Sequence, residues 1–189
     1  MSNFCFTDLN GIPIGCDAAL GGIKEVFVVP YTALVAGVDN AVPVFSVREA
    51  VVIKNDIIED FFTNAGSFSD YFRYRFKRET GNFETTVTKE ENGAIFYEST
   101  INLVFGKQEV SKKKEIEQLA KGDLAMLVRD NNNKVWVFGM DYPVRLSEGT
   151  VETGTAFGDF NGYNLTFSDF SREMPYELGG LALEDLNSF

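Results

Sequence analysis

No histidine occurs anywhere in the 189 residues. Proton transfer near neutral pH falls to histidine more often than to any other side chain, so its absence weighs against an enzyme. Cysteine is scarce as well: Cys5 and Cys16 are the only two, both near the N-terminus. A bridge between them would staple only a short loop, and two free thiols in a reducing cytoplasm is the favoured reading. Positive charge is the third shortage. Lys and Arg number 17 against 28 Asp and Glu, a net charge of −11. That balance argues against a surface that grips nucleic acid, which relies on clustered bases. It suits a conduit better than a clamp, because an acidic wall repels phosphate. No apolar run approaches the ~18 residues of a membrane-spanning helix. Residues 1–30 lack the basic-then-apolar pattern of a signal peptide. The expectation is a soluble protein made in a cytoplasm.

What the chain does have is core material. Apolar residues make up 44% of it and phenylalanine alone contributes 18. A compact fold of this size buries roughly 70% of its unfolded surface, so no staple is needed. The reading is a single domain over 1–189, with an N-terminal arm (1–20), a body (23–178) and a C-terminal arm (179–189). Phe4, Phe6, Ile12 and Ile14 make the first arm apolar, and Leu181, Leu183, Leu186 and Phe189 make the second so. Arms of that kind fit contacts with neighbouring subunits.

Strand signals dominate the body. Ile23–Val29, stopped by Pro30, and Pro43–Ile53 read as strands; Ile57–Asn64 fits a short helix or a turn. Tyr71–Lys77 alternates, with Phe72, Tyr74 and Phe76 on one face and Arg73, Arg75 and Lys77 on the other. A turn at Thr80-Gly81 predicts Tyr74 opposite Val87 and Lys77 opposite Glu84. A second turn, Glu91-Asn92-Gly93 with Gly93 left-handed, sets Val87 opposite Tyr97 and Phe83 opposite Ile101. Ile95, Tyr97, Ile101, Leu103 and Phe105 then share the Phe72/Tyr74/Phe76 face, giving one long antiparallel meander. At ~3.3 Å per residue its Ile95–Phe105 strand is roughly 35 Å long. A flanking helix is expected at about 111–121, with Ser111 as N-cap, Ile116, Leu119 and Ala120 as a narrow apolar stripe, and Gly122 as its stop. Lys112, Lys113 and Lys114 oppose its dipole, so docking on a sheet must hold it. Leu124–Val128 and Val135–Phe138 flank a hairpin turn, and Val144–Leu146 and Gly162–Phe170 add two strands.

Chemical constellations are weak. Asp130-Asn131-Asn132-Asn133 offers oxygens but lacks the central Gly and distant Glu of a calcium loop, so a hairpin turn is favoured. Asp159-Phe160-Asn161-Gly162 reads the same way. Glu59-Asp60 and Glu90-Glu91 are adjacent carboxylates that fit solvated turns, not a pair facing across a cleft. There is no phosphate-cradling loop, nucleophile elbow or metal-ligand spacing, so no catalytic, cofactor-binding or metal residue is assigned. The basic stripe Arg73, Arg75, Lys77 and Arg78 admits three readings: a nucleic-acid strip, a solvated or cross-strand-paired face, and a match for an acidic patch on an identical neighbour. The solvated or cross-strand-paired face is favoured. Trp136 is read as core.

Two glycine-punctuated segments carry a resemblance: the opening Gly21-Gly22-Ile23-Lys24-Glu25-Val26-Phe27 and the closing run from Gly154 through Asp159-Phe160-Asn161-Gly162 to Phe167. Together with the Trp-bearing hairpin Asn131–Phe138, they resemble tail tube proteins of tailed bacteriophages infecting Bacteroidota. The resemblance implies a mainly β (α+β) fold, a β-barrel or sandwich with a long meander and one flanking helix. It implies stacked rings, usually hexameric, around a tape-measure protein, forming a conduit for DNA ejection in the virion tail after assembly in the host cytoplasm. Partners would be copies of itself, the tape measure and other tail proteins, with DNA only in transit and neither membrane, cofactor nor small-molecule substrate. The subunit-interface candidates are Phe4, Phe6, Ile12, Ile14, Arg73, Arg75, Lys77, Glu84, Leu181, Leu183, Leu186 and Phe189. Alternatives are a tail terminator, a connector, a contractile-injection tube, or a β-sandwich module that binds carbohydrate or host surface.

Overall fold

The structure, a computed structural model, describes residues 20–32, 51–54, 57–61, 71–77, 80–91 and 93–179. The arms up to residue 19 and from residue 180 lie outside this set, as do Pro43–Ala50 and both cysteines. The fold is mainly β. Its strands are β1 (Ile23–Pro30), β2 (Val51–Lys54), β3 (Ile57–Phe61), β4 (Phe72–Arg75), β5 (Gly81–Lys89), β6 (Ile95–Gly106), β7 (Leu124–Asp130), β8 (Val135–Phe138), β9 (Arg145–Glu152), β10 (Gly162–Ser171) and β11 (Tyr176–Leu178). A helix, α1 (Val110–Leu119), joins β6 to β7. A seven-stranded sheet has the order β2-β3-β11-β8-β7-β1-β4, and a four-stranded sheet the order β5-β6-β10-β9. Both sheets are open, so the barrel form of the expectation gives way to two layers.

Sequence pattern decides which sheet is central. β1 and β7 are apolar almost without alternation, which fits strands buried on both faces. Val26, Val28, Met126 and Val128 point toward the four-stranded sheet and meet Ile101, Leu103, Leu165 and Phe167. Phe27, Val29, Ala125 and Leu127 point the other way, into a second cluster with Ile58, Val137 and Leu178. β6 and β10 alternate instead, burying one face only. Ile116 and Leu119 dock α1 into the inter-sheet cluster.

The predicted meander is half right. β5 pairs with β6 in the expected register, Val87 against Tyr97 and Phe83 against Ile101, around a turn in which Gly93 has φ 85°. β4 does not join them. It pairs with β1 in the other sheet, Tyr74 against Val26 and Arg73 against Phe27, and Phe76 N–H continues that ladder to the Lys24 carbonyl. Alternation fixes which face a residue occupies but not which sheet receives the strand. Tyr74 and Phe76 still meet Phe105, at ring-centre distances of 5.9 and 5.1 Å, because the two sheets face each other. Phe72 lies at an edge and is 56% exposed, so it leaves the shared face.

Two further differences are local. The N-cap of α1 is Glu109, not Ser111, and its carboxylate does not cap the helix because Lys107 and Lys112 hold it. Ala120 is exposed, which reduces the apolar stripe to Ile116 and Leu119. Ile57–Phe61 is a strand, and it pairs parallel to β11.

Candidate assembly surface

The four-stranded sheet presents one face to the core and the other to solvent, and the two differ in chemistry. Inward positions carry Ile101, Leu103, Tyr163, Leu165 and Phe167, all buried. Outward positions form cross-strand rows of polar side chains. One row runs Asn82, Asn102, Thr166, Glu148. Thr166 Oγ1 donates to Asn102 Oδ1 at 2.9 Å, and Asn102 Nδ2 reaches Asn82 Oδ1 at 3.4 Å. The next row runs Glu84, Thr100, Ser168, Arg145. Glu98 and Glu152 add two more carboxylates. Arg145 is the only base at these positions, and its Nε is bound to Asp123 at 2.6 Å. The face is therefore mostly polar and acidic along its length, apart from Val104 near one end and, near the other, Phe96 and Phe170, whose rings lie 6.4 Å apart.

Among the described residues both borders of this sheet are open: β5 on one side, β9 on the other. All three internal pairings are antiparallel. With four strands, β5 and β9 therefore run in opposite directions. A neighbour related by rotation can then add β5 to β9 as one more antiparallel pair.

The loop between β9 and β10 is organised by a single carboxylate. Asp159 Oδ2 accepts from Thr155 N–H at 2.8 Å, Ala156 N–H at 2.7 Å and Thr155 Oγ1 at 3.1 Å. Those donors hold its carboxyl below the usual aspartate range. Asp130 organises the β7–β8 turn likewise, taking Asn132 and Lys134 N–H at 2.8 and 2.9 Å. Asn131 and Asn132 bind backward to the carbonyls of Gly21 and Leu20, joining the turn to the approach to β1. Trp136 is half-buried against Phe83, with its indole N–H 3.4 Å from Asp130.

Of the interface candidates, Phe4, Phe6, Ile12, Ile14, Leu181, Leu183, Leu186 and Phe189 lie outside the described residues. Arg73, Arg75, Lys77 and Glu84 do not form one site. Arg73 donates Nε and Nη2 to Oε2 of the buried Glu25, at 2.9 and 2.7 Å. Arg129 Nη1 lies 2.7 Å from the other oxygen of Glu25, and Arg75 Nε lies 3.9 Å from Oε2. Both Arg73 and Arg129 also stand over the Phe27 ring, at 5.3 and 5.7 Å. Of the basic stripe, Arg73 is thus cross-strand paired, with Glu25 as its partner, Arg75 stays largely exposed, and Arg78 lies outside the described residues. Glu84 sits on the outward face of β5, in the other sheet. Sequence reasoning passed over Glu25, although a lone carboxylate inside the apolar run of β1 was the available signal.

Another buried acid closes the far end of the core. Asp169 is 3% exposed, opposite Ser99 across β10 and β6. Burial pushes its carboxyl up to about 7; the Gly139 N–H opposes this and the charge of Asp141 adds to it. Ser99 and Thr85 share a hydroxyl hydrogen bond of 2.8 Å in the same polar row. Among the described residues no group of three or more His, Cys, Asp or Glu side chains could hold a metal, and no helix is long and apolar enough to cross a membrane.

No protein-family model, curated protein or solved structure matches the chain.

Proposed function

We propose that the chain is a non-enzymatic structural subunit of a bacteriophage tail tube, built to close into rings through the borders of its four-stranded sheet. The observation that carries this reading is the acidic, polar outward face of that sheet, flanked by two edges that are open among the described residues. Exposed edges are templates for association, and lateral pairing in a closed ring removes them. Six copies would align 24 strands, the number implied by four strands per subunit and hexameric symmetry. At about 4.8 Å between strands, such a wall measures roughly 37 Å across its backbone. That is wide enough for a DNA duplex once side chains are subtracted, and barrels of about 16–18 strands already hold an aqueous channel. Glu84, Glu98, Glu148 and Glu152 would face the lumen and repel phosphate, so DNA would pass without sticking.

Negative-stain microscopy of the purified chain, with sedimentation velocity across a concentration series, tests the reading. Closed rings or open-ended tubes are expected. Strictly monomeric behaviour at every concentration would overturn it, and capped single rings would favour a terminator or connector.

A further inference from the structure

Among the described residues, exposed apolar side chains gather mainly at the two ends of the sandwich, with Phe72 and Ile57 the exceptions on β4 and β3. At the end where β5 begins and β6 finishes stand Val110, Val151 and Phe157, the last fully exposed on the loop that Asp159 organises. At the opposite end stand Val87, Ile95, Tyr142, Phe170 and Met174. Val87 and Ile95 occupy inward-facing positions of β5 and β6, yet they are 53% and 48% exposed. The tip of the β5–β6 hairpin therefore projects past the core, with an apolar side and a turn carrying Glu90 and Glu91.

The first end holds a groove of about 630 Å³. Phe76, Phe105 and Phe160 contribute its apolar surface, and Arg75, Lys77, Lys107 and Lys112 give it cationic sides. Asp159 is the one carboxylate in the lining, already engaged by Thr155 and Ala156. Glu109, beside the groove, balances one lysine through its contact with Lys107. A surplus of positive charge remains, in a chain that is acidic overall. One end of the molecule thus offers an apolar, basic socket, and the other an apolar knob whose tip carries Glu90 and Glu91 against the single base Lys89.

We infer that copies of this chain stack head to tail, the β5–β6 hairpin of one seating its Glu90–Glu91 tip in the Arg75/Lys77 groove of the next. The occupant is a second copy because the complementary charge and apolar surface sit on the same chain at opposite ends. A contact between two different patches propagates instead of closing on itself, which is the geometry of a growing stack. The inference deepens the tube reading and rests on it for the ring.

Two variants and their mixture test it. Glu90→Lys with Glu91→Lys makes the knob basic; Lys77→Glu with Lys107→Glu makes the socket acidic. Each alone should stop at single rings by microscopy, raising the concentration at which tubes first appear at least tenfold. Mixed one to one they should build tubes again, because each variant's knob then fits the other's socket. Circular dichroism and thermal unfolding check that both remain folded, and Glu90→Gln with Glu91→Gln supplies a milder variant that should raise the same threshold. Tubes from either charge-reversed variant at the wild-type threshold, or a mixture of folded variants that stays as rings while the wild type builds tubes, overturn the stacking contact and leave the ring reading standing. A wild type that never forms rings removes both.

Discussion

Glu25 is a carboxylate in the middle of a strand buried on both faces, and what makes it tolerable is the pair of guanidinium groups from Arg73 and Arg129. Removing it leaves those cations partly buried without their counter-charge. Glu25→Ala should therefore cost about 3 kcal/mol or more, the usual consequence of breaking a buried pair from one side. Urea unfolding of the variant reads that loss directly. Among the described residues no cation faces Asp169, and its effect appears in pH. The folded state holds its proton up to about 7, whereas the unfolded chain releases it near 3.8. Folding therefore binds a proton between those values, and this group's contribution is fully present below pH ~4 and lost as pH rises toward 7. The difference amounts to about 4 kcal/mol. Asp169→Asn should flatten that part of the profile, seen as a smaller stability difference between pH 5 and pH 8 than in the wild type.

Gly162 opens β10 where it lies against the end of β6. A Cβ there would come within 2.1 Å of the Phe105 carbonyl oxygen, so Gly162→Ala has to push the two strands apart. A loss of about 1–3 kcal/mol is expected, in the range of other overpacked sites, checked by thermal unfolding. Helix α1 depends on docking: it has no side-chain cap and no acid in its first turn. Leu119→Ala should cost about 2–4 kcal/mol, and a peptide of residues 109–121 should show little helix by circular dichroism. That dependence was legible from Lys112, Lys113 and Lys114, as was the β5–β6 register from Gly93 and the inward rows of β6. The seven-stranded sheet was not legible as a whole. Its strands come from distant parts of the chain, and Tyr176–Leu178 is too short to display a period. Lys77 was set opposite Glu84 and Tyr74 opposite Val87 although β4 pairs with β1, since a period of two says nothing about whether the neighbouring strand is β1 or β5. The acidic outward face follows from the alternation in β5, β6 and β10, yet it becomes a surface only once those strands are known to be neighbours.

At the scale of the whole molecule, a net charge of −11 is distributed with purpose. The outward sheet face holds carboxylates, while bases gather at the Glu25 cluster and the end groove. If the acidic face keeps phosphate away, reversing it should create an affinity the wild type lacks. The triple variant Glu84→Lys, Glu98→Lys, Glu148→Lys should retard DNA in a mobility-shift assay at low salt and release it as salt rises; the wild type should not retard it. The parallel pairing of β3 with β11 has a consequence of another kind. Residues 57–58 and 177–178 are partners, so the larger sheet cannot be completed until the last of its strands has left the ribosome. Such distant pairings are slow to form. The β5–β6 hairpin, whose partners are close in sequence, will organise first, and the nascent chain will carry it as an island of order. The larger sheet must therefore wait for Tyr176–Leu178 to emerge, and on the proposed tube reading this keeps a nascent copy from joining its neighbours before its own sheet is complete.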